Sequence, residues 1–196
     1  MTPSPILVPL PRTQLEILSV AYLLGSIPFA RLFGQRRDPG APARLATFIL
    51  DVAKGYAAVW LAARLTHGNI HWMTYSALAV IVGHMFPVWL GFKGRHSVAT
   101  AAGAFILICW QAVALAAGLW IVVVWFWGYA SLGSLAAAGA LPLLLYLLYA
   151  PRHAPPTVVS ASALLVTALL VLKHRLNIHR LMAGTEPRFS LRRPKP

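Results

Sequence analysis

Long apolar runs alternate with short polar or proline-rich links along the whole chain. Each run approaches the roughly 20 residues that a helix needs to cross a bilayer. The first predicted span runs from Leu15 to Gly34 and contains Gly25, Ser26 and Pro28. Proline removes a backbone donor, so a kink or unwinding is expected near Ser26, leaving a carbonyl for protein or water to satisfy. The alternative is a packing kink with Ser26 bonded to its own helix. Gln35 to Arg44 carries Pro39, Gly40 and Pro42 and reads as a polar loop without helix.

The second span, Leu45 to Thr66, contains Asp51 and Lys54, which at i,i+3 share a helix face. An ionisable pair in a membrane helix is either mutually neutralising or aimed at a polar site. The third span is Trp72 to Phe92, with His84 and Pro87 in its second half. The apolar run from Val98 to Tyr129 is too long for one crossing. Gln111, with Gly118 beyond it, divides the run into a short span ending near Trp110 and another from Ala112. Leu132 to Tyr149 and Thr157 to Lys173 are the sixth and seventh spans. The basic tail begins as a helix that Gly184 and Pro187 terminate.

Composition agrees with this layout: 59% of residues are hydrophobic, only 11% are charged, and mean hydropathy is +0.69. A soluble domain is usually about half apolar. The expectation is an all-α integral membrane protein, one compact bundle of about seven transmembrane helices. Residues 1–196 form a single membrane domain, with 1–14 as a disordered leader and 188–196 as a basic tail. The leader lacks the basic start and small-residue cleavage site of a secretory signal. The lone Cys109 excludes an intramolecular disulfide.

A formal charge of +13 suggests nucleic acid in a soluble protein. Here the cations sit between and after apolar runs, so they read as topology determinants and anion ligands, with no nucleic acid partner. Placing the first polar loop, the central loop and the tail on one side leaves only Arg12, Arg64 and Arg152 on the other. The positive-inside rule then puts the N-terminus outside and the C-terminus in the cytoplasm.

The stretch Val82 to Gly103 organises the chemistry. An apolar segment ends in a tight loop, Lys93, Gly94, Arg95, His96 and Ser97, and leads straight into another apolar segment. Three segments on one membrane face contribute Arg36 and Arg37, then Lys93, Arg95, His96, Ser97 and Thr100, then His174, Asn177 and Arg180. Guanidinium forks and backbone amides beside glycine suit phosphate oxygens. His174 and Asn177 share one face of the emerging helix. This chemistry suits a small phosphorylated substrate meeting a lipidic one. A competing role is binding of anionic headgroups, at about 1 kcal/mol per cation.

Several strings, in order, resemble the PlsY-type acyl-phosphate:glycerol-3-phosphate acyltransferases of bacterial membranes. They are AYLLGSIPFARLFG, DVAKG, GHMFPVWLGFKG with SVAT, ASLGSL and HRLNIHRLMAGTEP. The resemblance implies a seven-helix, multi-pass enzyme of the inner membrane. It transfers an acyl group from acyl phosphate to the 1-hydroxyl of glycerol 3-phosphate, giving lysophosphatidic acid and phosphate. No cofactor, metal or covalent nucleophile is implied, and the chain is expected to act as a monomer among membrane lipids.

Carried over, Gly94 to Ser97 occupy the phosphate loop, flanked by Lys93 and Thr100. His174, Asn177 and His96 are the expected catalytic residues. Substrate binding is expected from Lys93, Gly94, Arg95, Ser97, Thr100, Arg36, Arg37, Ser26, His84 and Lys54, while Glu186 and Asp51 are structural. The loop departs from the family's Gly-Gly-Lys-Gly, reading Gly94, Arg95, His96, Ser97. The family's first-loop string Gly-Ser-Gly-Asn-x-Gly-Ala-Thr-Asn has no counterpart in Gln35 to Arg44. These departures motivate one alternative, a catalytically inactive paralogue that binds phospholipid precursors or an active homologue.

Overall fold

The structure, a computed structural model, describes residues 12–32, 41–94, 96–149 and 157–189. The regular structure among these residues is helical throughout. Helix α1 (Arg12–Ser26) begins inside the stretch read as leader, and α2 (Phe29–Leu32) continues it after a break at Ile27 and Pro28. The break falls where the proline predicts it. The freed Ile27 carbonyl accepts a hydrogen bond from Lys54 Nζ at 3.2 Å. Ser26 does not bond within its own helix, because its Oγ donates across to Gly83 O at 3.3 Å.

Helix α3 (Ala41–Leu65) corrects the loop reading of Gln35 to Arg44, since residues 41–44 are already helical. Pro42 lies in the first turn, where a missing N–H removes no intrahelical bond and the fixed φ suits the helix. Helix α4 (Ile70–Met85) is capped by Asn69, whose side chain accepts from the His71 amide. It stops before Pro87, which cannot continue the ladder. A single 3-10 turn, Val88–Leu90, then leads into Gly91 and Phe92, both with left-handed φ, 56° and 64°.

Helix α5 (Val98–Trp127) contains one non-helical residue, Cys109, at φ −157° and ψ 89°. The Cys109 thiol lies 3.6 Å from Gln111 Oε1. A straight helix of this length would separate its ends by about 45 Å. Yet both ends adjoin the C-terminal segment: His96 meets the Lys173 carbonyl, and Gly128 O accepts from the Phe189 amide at 2.7 Å. The chain therefore breaks at Cys109 into two arms, 98–108 and 110–127. Gln111 signalled that division two residues late.

Helices α6 (Ala130–Tyr149) and α7 (Thr157–Lys173) follow as expected, joined across by Thr167 Oγ1 donating to Ala138 O at 2.8 Å. A 58° bend at His174 leads into α8 (Arg175–Met182), which Gly184 ends at φ 68°.

Two helix crossings are set by glycine. A Cβ on Gly55 or Gly103 would strike the backbone of Thr100 or Val52, so α3 and the first arm of α5 touch main chain to main chain. Gly25 and Gly83 do the same for α1 and α4, against Val80 and Tyr22. Such small-residue contacts let helices approach closely where lipid supplies no hydrophobic drive. Phe105, Ile81, Met85, Leu145 and Val59 fill the space between.

This is an all-α integral membrane protein. Among the described residues, four helices are long and apolar enough to cross a bilayer, and α7 with α8 makes a fifth if the bent pair is one span. Trp125, Phe126, Leu164 and Leu172 project outward, where lipid lies.

Candidate active site

The site is built where the end of α4, the start of α5 and the α7–α8 bend meet. Gly94 rests on the last turn of α4, its amide donating to Met85 O at 3.2 Å. A side chain there would collide with His84 O, Met85 O and the Pro87 ring. Glycine is required by contact, independent of any ligand. Nε2 of His84 lies 3.2 Å from His96 O, and its Nδ1 lies 3.6 Å from Asp51 Oδ1. Asp51 in turn is 2.7 Å from Lys54 Nζ. The membrane-embedded acid thus holds both a cation and the imidazole that braces the loop.

Lys173 ties the other flank. Its carbonyl accepts from His96 Nε2 at 3.1 Å, and its ammonium donates to Met85 O at 2.8 Å while lying 4.3 Å from the Phe86 ring centre. The His96 and His174 rings sit 4.1 Å apart and tilted by 40°. His174 is 4% exposed, and its Nδ1 donates to Leu170 O at 2.8 Å. In the neutral ring that bond leaves the lone pair on Nε2.

Glu186 organises α8. It accepts from Asn177 Nδ2 at 3.1 Å and from Arg180 Nε at 2.8 Å. Burial pushes its carboxyl up, but the nearby Ser131 hydroxyl, Arg180 and Asn177 more than offset this and hold it below the usual carboxylate range. The segment beyond it docks on the turn between α5 and α6. Phe189 meets the Trp120 ring edge-on at 6.0 Å, and the Arg188 guanidinium lies over Tyr129.

Between these walls lies a cleft of about 300 Å³, lined by Gly94, His96, Lys173, Leu176, Asn177 and Arg180. Of the residues expected from sequence, Gly94, His96, Asn177 and Arg180 line it, and His174 stands directly against His96. Ser97 and Thr100 are fully buried at the start of α5, their hydroxyls without a hydrogen-bond partner among the described residues. His84 reaches the loop only through the His96 carbonyl.

Lys54 and Ser26 are not among the cleft residues: Lys54 donates to Ile27 O in the first span and Ser26 to Gly83 O in α4. Lys93 is exposed beside Gly94. Arg36, Arg37 and Arg95 lie outside the described residues. Asp51 pairs with Lys54, and Glu186 accepts from Asn177. Sequence reasoning took Lys173 only as a topology determinant and passed over Leu176. For Leu176 the i,i+4 spacing to Arg180 on α8 was the available signal, whereas Lys173 lies before the bend at His174, across which helical spacing does not carry.

Residues 36–184 match the family model described as glycerol-3-phosphate acyltransferase. The chain belongs to this family. A glycerol-3-phosphate acyltransferase of Mesorhizobium japonicum is 36% identical over 86% of this chain and 92% of its own. Another, from Parasynechococcus marenigrum, is 38% identical over 95% of each. Crystal structures of PlsY, an integral membrane glycerol 3-phosphate acyltransferase, in its glycerol 3-phosphate and lysophosphatidic acid forms, superpose with a TM-score of 0.81. They share 29% identity and cover 91% of this chain and 96% of theirs. The inactive-paralogue alternative gains no support from these relatives.

Proposed function

We propose that the protein transfers an acyl group from acyl phosphate to the 1-hydroxyl of glycerol 3-phosphate, releasing phosphate and lysophosphatidic acid. The observation that carries this is the convergence of His96, His174, Asn177 and two basic side chains on one cleft, in a chain whose relatives are named glycerol-3-phosphate acyltransferases. Acyl phosphate is an activated mixed anhydride, so positioning and anion stabilisation suffice. The glycerol oxygen bonds to the acyl carbon, the bond from that carbon to the bridging oxygen breaks, and phosphate departs. His174 Nε2 is the group suited to take the hydroxyl proton, its ring fixed by the Nδ1 bond to Leu170 O. Ser97 and Thr100 offer two buried hydroxyls to substrate oxygens.

We read the protein as a monomer, and the mutual packing of the described helices supports one membrane domain. Cations at the ends of α4 and α7 and in α8 support a cytoplasmic cleft and C-terminus, with the N-terminus outside the plasma membrane.

The test is purified protein with acyl phosphate and labelled glycerol 3-phosphate in lipid. Lysophosphatidic acid above a vesicle blank is expected. None, with a homologue active in parallel, sinks the reading.

A further inference from the structure

The cleft has two basic side chains in its walls, and they differ in one respect. Arg180 is already paired, its Nε 2.8 Å from the Glu186 carboxylate. Lys173 is not: among the described residues no carboxylate lies within ion-pair distance of its ammonium, which has the Met85 carbonyl and the Phe86 ring face instead. An ammonium carries three donors, so the bond to Met85 O leaves two. A half-buried cation held by neutral groups keeps its charge uncompensated, and an anion is what compensates it.

We propose that Lys173 is an anion-binding residue that receives a phosphate group in the cleft. The inference deepens the acyltransferase reading and rests on it for the identity of the ligand, a phosphate monoester or acyl phosphate. Its position supports the assignment. The Lys173 carbonyl holds His96 and its ammonium holds Met85, so the charge is fixed between the loop and the α7–α8 bend rather than swinging free. His96, Asn177 and Gly94 surround the same space. Preorganised donors of this kind bind without the cost of ordering a long side chain.

The experiment is titration of inorganic phosphate, and separately glycerol 3-phosphate, into the detergent-solubilised full chain by calorimetry. Lys173→Gln keeps a donor for Met85 O, Lys173→Met is a second neutral variant of similar volume, and Lys173→Arg keeps the charge. The neutral variants are expected to bind phosphate at least about tenfold more weakly, the loss typical of a charge-assisted bond, with Lys173→Arg less affected. Wild-type affinity in either neutral variant, or no measurable phosphate binding by the wild type, overturns the inference. Lysine-dependent phosphate binding in a protein that forms no lysophosphatidic acid would leave Lys173 in place and remove the acyltransferase reading.

Discussion

The Lys54 ammonium donates to the Ile27 carbonyl at 3.2 Å, closing the gap that Pro28 opens in the first span. The same ammonium lies 2.7 Å from Asp51 Oδ1, so one buried cation satisfies both a broken helix and a membrane-embedded acid. Lys54→Met removes the cation from both, leaving Ile27 O only the Phe29 amide and Asp51 only the His84 imidazole at 3.6 Å. Breaking a buried pair typically costs about 3 to 5 kcal/mol. A clear fall in the thermal midpoint in detergent is expected, smaller in the Asp51→Asn/Lys54→Met double variant because no carboxylate is then stranded. Equal losses in the two would show that the pair is not what matters.

Glu186 carries the pH dependence of the C-terminal segment. Its folded carboxyl lies below the usual range, so its stabilisation is present above the unfolded-state pKa and is lost as pH falls through the lowered folded value. Protection factors of the amides in 185–189, with the intrinsic pH dependence of exchange divided out, should therefore be high at neutral pH and fall in acid. Glu186→Gln should exchange faster at pH 7 and lose the acid-dependent step. A variant with the wild-type profile would remove Glu186 as its cause.

His174 is held in one orientation by Leu170 O and packs on His96. His174→Ala should lower the turnover number for lysophosphatidic acid formation by about 100-fold or more, the range for loss of a general base. Asn177→Ala removes a cleft donor and one of the bonds to Glu186, so it should lower turnover and speed exchange at residues 185–189. His174→Ala should leave that exchange unchanged, which separates chemistry from architecture.

Pro28, Pro87, Gly184 and the excess length of 98–129 marked breaks correctly because they act through local backbone geometry. Pro42 misled because proline ends one helix and begins the next equally well, and the register that decides lies outside the local string. The partners of freed groups were harder to see. Nothing near Ile27 in the chain names Lys54, and nothing near Gly55 names Thr100, because those choices are made by helix crossings. At the site, the residue types at His96, His174 and Asn177 were legible. Lys173 as a wall was not, since the bend at His174 decides where its side chain points.

The arm 98–108 rises only about 16 Å before Cys109, roughly half of a bilayer core of about 30 Å. The loop of the candidate site therefore stands on a peg too short to cross a bilayer, whose sides are locked by Gly103 and by the Gly55 contact with Thr100. One residue added to that peg would raise the loop by about 1.5 Å and turn its Ser97 end by about 100°. The height and facing of the candidate site are thus set by the length of this arm and by its glycine contacts with α3.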